Sequence, residues 1–150
     1  MLQVLSPLAG HSVAVSDIPD PVFAKGLVGP GVAVLPRPGR QTSAAPIAGT
    51  LVKLLPHAFV VADDAEHAVL VHLGIDTVHM EGDGFTLLNE EGERVEAGDE
   101  VVAWDPAYVE QSGRSSACAV VVLDCDPADV VRRPVDVDVE QGDLLLEVDC

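Results

Sequence analysis

Residues 57–73 of the chain read HAFVVADDAEHAVLVHL. Two short runs of β-branched and aliphatic residues, Phe59–Ala62 and Val69–Leu73, stand on either side of the polar turn Asp63–Glu66. Short runs of this kind, bounded by turn residues, are typical of β-strands. The stretch therefore predicts two antiparallel strands joined by a turn, with a histidine at the start of the first apolar run and another inside the second.

The same pattern continues along the chain. No segment of ten or more residues shows a helical period, and short helical turns are expected only at Asp20–Lys25, Pro106–Gln111 and Asp126–Val131. The other predicted strands are Val13–Val15, Val32–Leu35, Thr50–Leu54, Val101–Trp104, Val120–Leu123, Val135–Val139 and Leu144–Val148. We therefore predict an all-β fold, an antiparallel β sandwich or barrel-sandwich-like structure, with residues 1–150 forming a single domain.

Two internal echoes refine this prediction. The segment Ser6-Pro7-Leu8-Ala9-Gly10 recurs as Ala45-Pro46-Ile47-Ala48-Gly49, and Val95–Val102 recurs as Val139–Leu146 around a shared Gly-Asp pair. Each echo taken alone is common turn chemistry. Both together in one short chain favour duplicated hairpins that close into a small sandwich.

Charge and composition exclude several classes of function. The 150 residues include 25 acidic and 8 basic side chains, for a formal net charge of −17. Nucleic acids and anionic membrane surfaces are recognised by cationic side chains, so neither is expected as a partner. The chain begins without a basic, apolar leader and has no run long enough to span a membrane.

The cysteines point to a reducing compartment. Cys118, Cys125 and Cys150 are odd in number and lack metal-ligand spacing, so we expect reduced thiols and a cytoplasmic protein.

Among the five histidines, His72 stands out because it interrupts an apolar strand. A histidine in that setting is often a hydrogen-bonded structural residue. However, His57 opens the preceding strand, and antiparallel pairing would bring the two imidazoles side by side. Paired neutral imidazoles can bind a metal, or one can act as a nucleophile while the other stabilises developing charge.

The residues around His72 are more specific than this spacing. Val71-His72-Leu73-Gly74-Ile75-Asp76-Thr77-Val78 resembles the phosphorylation-site signature of the glucose-type enzyme IIA family of the bacterial sugar phosphotransferase system. Further blocks of that family occur in order along almost the whole chain. They are Ser6–Gly10, Asp17–Phe23, Ala45–Thr50, His57–Phe59, Glu81–Phe85, Glu91–Val95 and Gly98-Asp99.

The resemblance implies a phosphocarrier. His72 would accept a phosphoryl group through Nε2 from the histidine of the small carrier HPr, and His57 would assist its onward transfer to a cysteine of the sugar-specific IIB component. Imidazole is a good nucleophile at neutral pH, and the protein's task would be positioning and charge stabilisation. Neither a metal nor another cofactor is implied.

Six further residues are expected at the partner-facing site. An apolar rim of Val32, Phe59, Leu70 and Leu73 would exclude water from the phosphohistidine. Gly74 would permit close approach of a partner, although a bulge or a crowded turn explains a glycine equally well. Asp76 would meet a partner's arginine, and its alternative role is a turn cap.

The chain departs from the family pattern at several points. The segment Leu54-Leu55-Pro56 lacks the threonine that usually precedes the assisting histidine, so His57 needs a different orienting group. Glu66 occupies the place of a usual turn glycine, Pro30 replaces a commonly acidic residue, and Ser116–Ala119 lacks a usual Thr-Pro pair.

Two other functions compete with a phosphocarrier. His72 and Asp76 resemble part of the zinc site of lysostaphin-like hydrolases, but the required His-x-His pair is missing and His79 is a poor substitute. A biotinyl- or lipoyl-type carrier domain needs a lysine at a hairpin tip in a Met-Lys-like setting, and neither Lys25 nor Lys53 has one.

Overall fold

The computed structural model describes residues 1–26, 28–133 and 135–150. Its strands are β1 (Leu2–Leu5), β2 (Gly10–Ala14), β3 (Gly31–Pro36), β4 (Gln41–Ala44), β5 (Gly49–Leu55), β6 (Ala58–Ala62), β7 (Ala68–Leu73), β8 (Phe85–Leu87), β9 (Arg94–Val95), β10 (Glu100–Trp104), β11 (Cys118–Val122), β12 (Val130–Arg132), β13 (Asp138–Val139) and β14 (Leu144–Val148). Two short α-helices are α1 (Pro21–Ala24) and α2 (Pro106–Gln111), and 3-10 helices span Val15–Asp17, Thr77–Met80 and Pro127–Asp129.

The strands form one large sheet and two small ones. The eight-stranded sheet has the order β13-β2-β3-β11-β7-β6-β5-β9, and the three-stranded sheets have the orders β1-β14-β12 and β4-β10-β8. Every strand pair within the described ranges is antiparallel. The prediction of an antiparallel all-β fold with only short helices is confirmed.

Most predicted elements have a counterpart. The strand at Leu144–Val148 and the helix at Pro106–Gln111 have the predicted bounds, and a helical turn occurs at each of the three expected places. The prediction at Val135–Val139 was too long, since only Asp138–Val139 pairs in a sheet. Five strands of the described structure were not predicted: β1, β4, β8, β9 and β12. The polar strand β4, QTSA, has a composition that does not indicate a strand, and its pairing with β10 stabilises it.

The two echoes correspond to a structural duplication. The strands that follow the Pro-X-Ala-Gly turns, β2 and β5, each pair antiparallel with the next strand of the chain, β3 and β6. Gly10 pairs with Val139 where β2 meets β13, and Gly49 pairs with Val95 where β5 meets β9. The strands after the Gly-Asp turns, β14 and β10, then pair with β1 and β4 in the two small sheets. Each Gly-Asp turn therefore carries the chain from the large sheet into a small one.

The large sheet buries side chains on both faces. Its inner face joins the small sheets in the main core, to which β7 contributes Val69, Val71 and Leu73. A second, smaller cluster lies on the outer face, where residues 15–23 cover part of β3 and β11. His72 also lies on this outer face.

The cysteines correct the expectation of three reduced thiols. Cys125 and Cys150 form a disulfide across a sequence separation of 25 residues, with their Cα atoms 5.7 Å apart. Cys118 is a free, fully buried thiol in β11. Their pairing follows from long-range packing, because β14 returns the end of the chain to the end of β11.

No helix in the described part of the chain has the length and apolar character needed to cross a membrane.

Candidate functional site

Strand alternation places His72 on the outer face of the large sheet. Along β7 the buried side chains are Val69, Val71 and Leu73, whereas Leu70 and His72 are only partly covered. Successive side chains of a strand point to opposite faces, so the inward run fixes His72 outward.

Small side chains surround His72 on the sheet. Ala119 of β11 and Ala58 of β6 pair with His72 on either side, and Ala33 of β3 pairs with Ala119. Three alanines therefore lie in one row with the histidine across four strands. Their short side chains leave the imidazole, which is partly covered, as the bulkiest group of the row.

Two further rings contact this imidazole. The ring centroid of His57 lies 5.3 Å from that of His72, with the ring planes at 72°. The Phe23 ring, from α1, lies 5.4 Å away at 59°. The antiparallel pairing of β6 and β7 thus brings the two histidines together as expected, and the backbone carbonyl of His57 accepts a hydrogen bond of 2.7 Å from the Leu73 N–H.

The tautomer of His72 follows from its hydrogen bond. Nδ1 lies 2.6 Å from the carbonyl oxygen of Gly74. A carbonyl only accepts, so Nδ1 carries the proton and Nε2 keeps a lone pair. Gly74 has a φ of +79°, and a Cβ there would lie 2.6 Å from Thr77 Cγ2. The glycine therefore forms a crowded turn that presents its carbonyl to His72.

Burial keeps both imidazoles neutral. Desolvation lowers the pKa of His72, although the Gly74 carbonyl and the carboxylates of Asp20 and Asp76 partly oppose that shift. The pKa of His57 is also lowered, chiefly by burial and then by the nearby His72. Neutral imidazole is the nucleophilic form, so both rings are chemically competent at neutral pH.

Two carboxylates thus flank His72, and sequence reasoning named only one. Asp76 is exposed and adopts a left-handed conformation, with φ of +58°, and its side chain caps no helix. Asp20 caps α1 by accepting a hydrogen bond of 2.9 Å from the Val22 N–H. The Asp20-Pro21 pair indicates the start of a short helix in the sequence, but only the fold shows that Asp20 lies beside His72.

The proposed rim was largely wrong. Val32, Phe59 and Leu73 are fully buried in the main core, on the face of the large sheet opposite to His72. Leu73 neighbours His72 in the strand and therefore points the other way. Of the four expected residues, only Leu70 shares a face with His72.

The apolar surface near the site comes instead from short helices. Phe23 contacts His72, and its neighbour Val22 is 47% exposed. Val78, two residues after Asp76, is 53% exposed. Large exposed valines beside partly buried histidines provide apolar contact area for a docking protein.

The structure shows no replacement, among the described residues, for the threonine that usually precedes the assisting histidine. Within residues 1–26, 28–133 and 135–150, no group hydrogen-bonds the His57 ring, which is held by burial and by the edge contact with His72.

Glu66 occupies the place of a usual turn glycine, and the backbone accommodates this difference. Glu66 itself takes the positive φ of +70° that suits a turn glycine.

Neither competing function gains support from the side-chain positions. In the described ranges, no group of three or more His, Cys, Asp or Glu residues is arranged to hold a metal ion. Lys25 follows α1, and Lys53 lies within β5. Neither lysine lies at a hairpin tip, where a biotinyl or lipoyl group would be attached.

Comparisons with known proteins agree with this architecture. The family model of the phosphoenolpyruvate-dependent sugar phosphotransferase system, EIIA 1, matches residues 2–127. The PTS system glucose-specific EIIA component of Halalkalibacterium halodurans is 34% identical over 145 residues, covering 95% of this chain and 83% of that protein. The glucose-specific EIIBCA component of Corynebacterium glutamicum is 34% identical over 122 residues, covering 81% of this chain and 18% of that protein.

A solved structure has the same fold. The glucose permease IIA from Mycoplasma capricolum superposes with a TM-score of 0.88 at 28% identity, covering 97% of this chain and 94% of that one. Because the family model matches most of the chain and the relatives align over nearly all of it, the chain belongs to the EIIA 1 family of the phosphoenolpyruvate-dependent sugar phosphotransferase system.

Proposed function

We propose that this protein is a phosphocarrier that accepts a phosphoryl group on Nε2 of His72 from phospho-HPr and passes it to a cysteine of a IIB component. The observation that carries the proposal is the hydrogen bond between His72 Nδ1 and the Gly74 carbonyl, because it leaves the Nε2 lone pair as the nucleophile. Membership of a sugar phosphotransferase family supplies the reaction class.

The transfer balances without a metal or cofactor. The Nε2 lone pair forms a bond to phosphorus while the nitrogen–phosphorus bond of phospho-HPr breaks, and its electron pair returns to the HPr imidazole. The His72 ring keeps its Nδ1 proton and becomes cationic. The Gly74 carbonyl and the carboxylates of Asp20 and Asp76 stabilise that cation, as their upward influence on the pKa of His72 indicates.

Onward transfer reverses the roles. A cysteine thiolate of IIB attacks the phosphorus, and the electron pair of the breaking bond returns to Nε2. His57, whose ring touches that of His72, is placed to hydrogen-bond the phosphoryl oxygens as they move. Asp20 and Asp76 are suited to meet an arginine of either partner.

The direct test is incubation with phosphoenolpyruvate, enzyme I and HPr, followed by intact mass measurement. We expect a gain of one phosphoryl group that is stable in base and labile in acid. His72→Ala should abolish the gain, and His57→Ala should retain it but block transfer to IIB. His11→Ala is the matched control, since His11 pairs with Asp136 and Asp138 away from His72. Phosphorylation of the His72 variant would refute the proposal.

Two expectations accompany this function. Exchange with HPr and IIB favours the cytoplasm as the location. We also expect residues 1–150 to fold as one domain, because β13 and β14, beyond the family match, pair with β2 and β1.

A further inference from the structure

The turn that follows β7 holds two groups on which the site depends, a backbone carbonyl and a side-chain carboxylate. Gly74 presents its carbonyl to His72, and Asp76 places a carboxylate beside the ring. Both residues have positive φ values, +79° and +58°. For a non-glycine residue such as Asp76 that conformation is costly and persists only where neighbouring groups hold it.

The loop between α2 and β11 supplies that support. The backbone N–H of Ile75 donates to the Ser115 carbonyl at 2.9 Å. Arg114 Nε donates to the Asp76 carbonyl at 3.1 Å. Within the described ranges, Arg114 and His72 are the two residues outside 73–80 whose side chains hydrogen-bond residues 74–76, and Arg114 is the one that bonds Asp76.

Arg114 is itself fixed to the end of α2. Its Nη1 donates to Ser112 Oγ at 3.1 Å, and that hydroxyl donates to the Val109 carbonyl at 2.6 Å. Val109 Cγ1 is also among the atoms closest to Gly74, 3.3 Å from an added Cβ. The planar guanidinium therefore joins the helix end to the turn through two hydrogen bonds at fixed angles.

The charge of Arg114 is not used in an ion pair. The carboxylates of the described residues all lie beyond 4.0 Å of its guanidinium, although the chain carries 25 acidic side chains. It bonds the backbone oxygen of Asp76 and leaves that residue's carboxylate available to His72 and to a partner. A geometric role explains this choice of acceptor better than charge neutralisation does.

We propose that Arg114 is a positioning residue for phosphoryl transfer. It holds the Gly74–Asp76 turn so that the Gly74 carbonyl keeps His72 in the Nδ1–H tautomer with Nε2 free. This inference rests on the proposed function of His72, but the part that concerns the tautomer does not depend on any transfer taking place.

The test compares Arg114→Lys and Arg114→Gln with Arg40→Gln, a control that removes an exposed arginine elsewhere on the surface. Lysine keeps the charge but lacks the planar fork, so the two Arg114 variants should behave alike. We expect the transfer rate from saturating phospho-HPr to fall about tenfold in both, as for the loss of one hydrogen bond to a charged group. Nitrogen NMR of the unphosphorylated protein should show faster exchange of the His72 Nδ1 proton.

Several outcomes would overturn the inference. If Arg114→Lys keeps the wild-type rate, the charge matters and the geometry does not. If Arg114→Gln leaves both the rate and the Nδ1 proton unchanged, Arg114 has no positioning role. Should the Arg114 variants fail to fold, Ser112→Ala removes the anchor of Nη1 and should change the same two readouts in the same direction. A wild-type protein that accepts no phosphoryl group would refute the proposed function, while the NMR comparison would still judge Arg114.

Discussion

Three histidines of this protein, His57, His67 and His72, have shifted pKa values, and their surroundings decide the direction. His72 and His57 lie in an apolar setting and have lowered pKa values, mainly because burial disfavours their charged forms. His67 has an acceptor at each ring nitrogen, the Asp63 carboxylate at 2.8 Å from Nδ1 and the Cys150 carbonyl at 2.8 Å from Nε2. Its pKa is raised, chiefly by the hydrogen bond with Asp63.

A histidine NMR titration checks these directions. We expect His72 and His57 to titrate below 6.5 and His67 above it. His67→Gln should remove only the titration that lies above pH 6.5. This variant is the control that assigns that titration to His67. A His72 ring that titrates above 6.5 would contradict the description of a neutral nucleophile.

The same shifts set the sign of the pH dependence of stability. Below pH 6.5 the unfolded chain protonates His57 and His72 before the folded protein does, so their contribution to the free energy of unfolding falls as the pH drops. The contribution of His67 is fully present below 6.5 and is lost as the pH rises through its folded pKa.

Gly74 has a structural role in the turn after β7 and a chemical role as the hydrogen-bond acceptor of His72. Gly74→Ala should destabilise the protein by about 1–2 kcal/mol through the positive φ, with a further cost from the contact with Thr77 Cγ2. It should also slow phosphorylation of His72, because the carbonyl that holds Nδ1 is displaced.

Gly92→Ala provides the matched control for this prediction. Gly92 has a φ of +92° and no atom within 4 Å of an added Cβ, so it carries the conformational cost without the contact. Unfolding in denaturant measures the stability of both variants, and equal losses in the two would argue against a crowded turn at Gly74.

At the scale of elements, α1 contributes a ring and a charge to a site that β7 defines. Phe23 packs on His72, and Asp20 both caps the helix and raises the pKa of His72. Asp20→Asn should keep the cap, because asparagine accepts the same hydrogen bond, and remove only the charge.

We expect the Asp20→Asn variant to lower the pKa of His72 further and to slow phosphoryl transfer several-fold. Asp17→Asn, in the adjacent 3-10 helix, is the control: it changes the net charge by the same amount, but at a carboxylate that does not influence the pKa of His72. This variant should leave both the pKa of His72 and the rate of phosphoryl transfer unchanged. A His72 pKa that does not respond to Asp20→Asn would exclude the proposed charge effect. NMR titration and single-turnover kinetics measure the two quantities.

At the scale of the whole molecule, a disulfide links Cys125 to Cys150, 25 residues later in the sequence. Closing a segment of 25 residues stabilises a fold by about 3 kcal/mol through the unfolded state. Reductant should therefore lower the free energy of unfolding of the wild-type protein by up to this amount. The Cys125→Ser/Cys150→Ser double variant should not respond, and a wild-type protein insensitive to reductant would contradict the pairing.

The net charge of −17 acts over the whole surface. If the partners present basic surfaces, association with phospho-HPr should slow as salt is added, whereas transfer at saturating donor should not. Stopped-flow measurements from low to physiological salt check both rates. A salt-independent association rate would show that the acidic surface serves solubility alone.

The sequence by itself determined the all-β class, most of the long strands and the pair of histidines proposed as the site. Those features depend on local chemistry: runs such as Val69–Leu73 prefer a pleated backbone, glycine accepts a positive φ, and the signature around His72 is contiguous.

Only the tertiary structure decided which groups meet. It placed Asp20 and Phe23 beside His72, joined Cys125 to Cys150, and assigned Val32, Phe59 and Leu73 to the core. Strand alternation tells which residues share a face, but the packing of distant segments decides which face is covered and by what. The candidate nucleophile, His72, was therefore named from the chain, while the groups that surround it were decided by long-range packing.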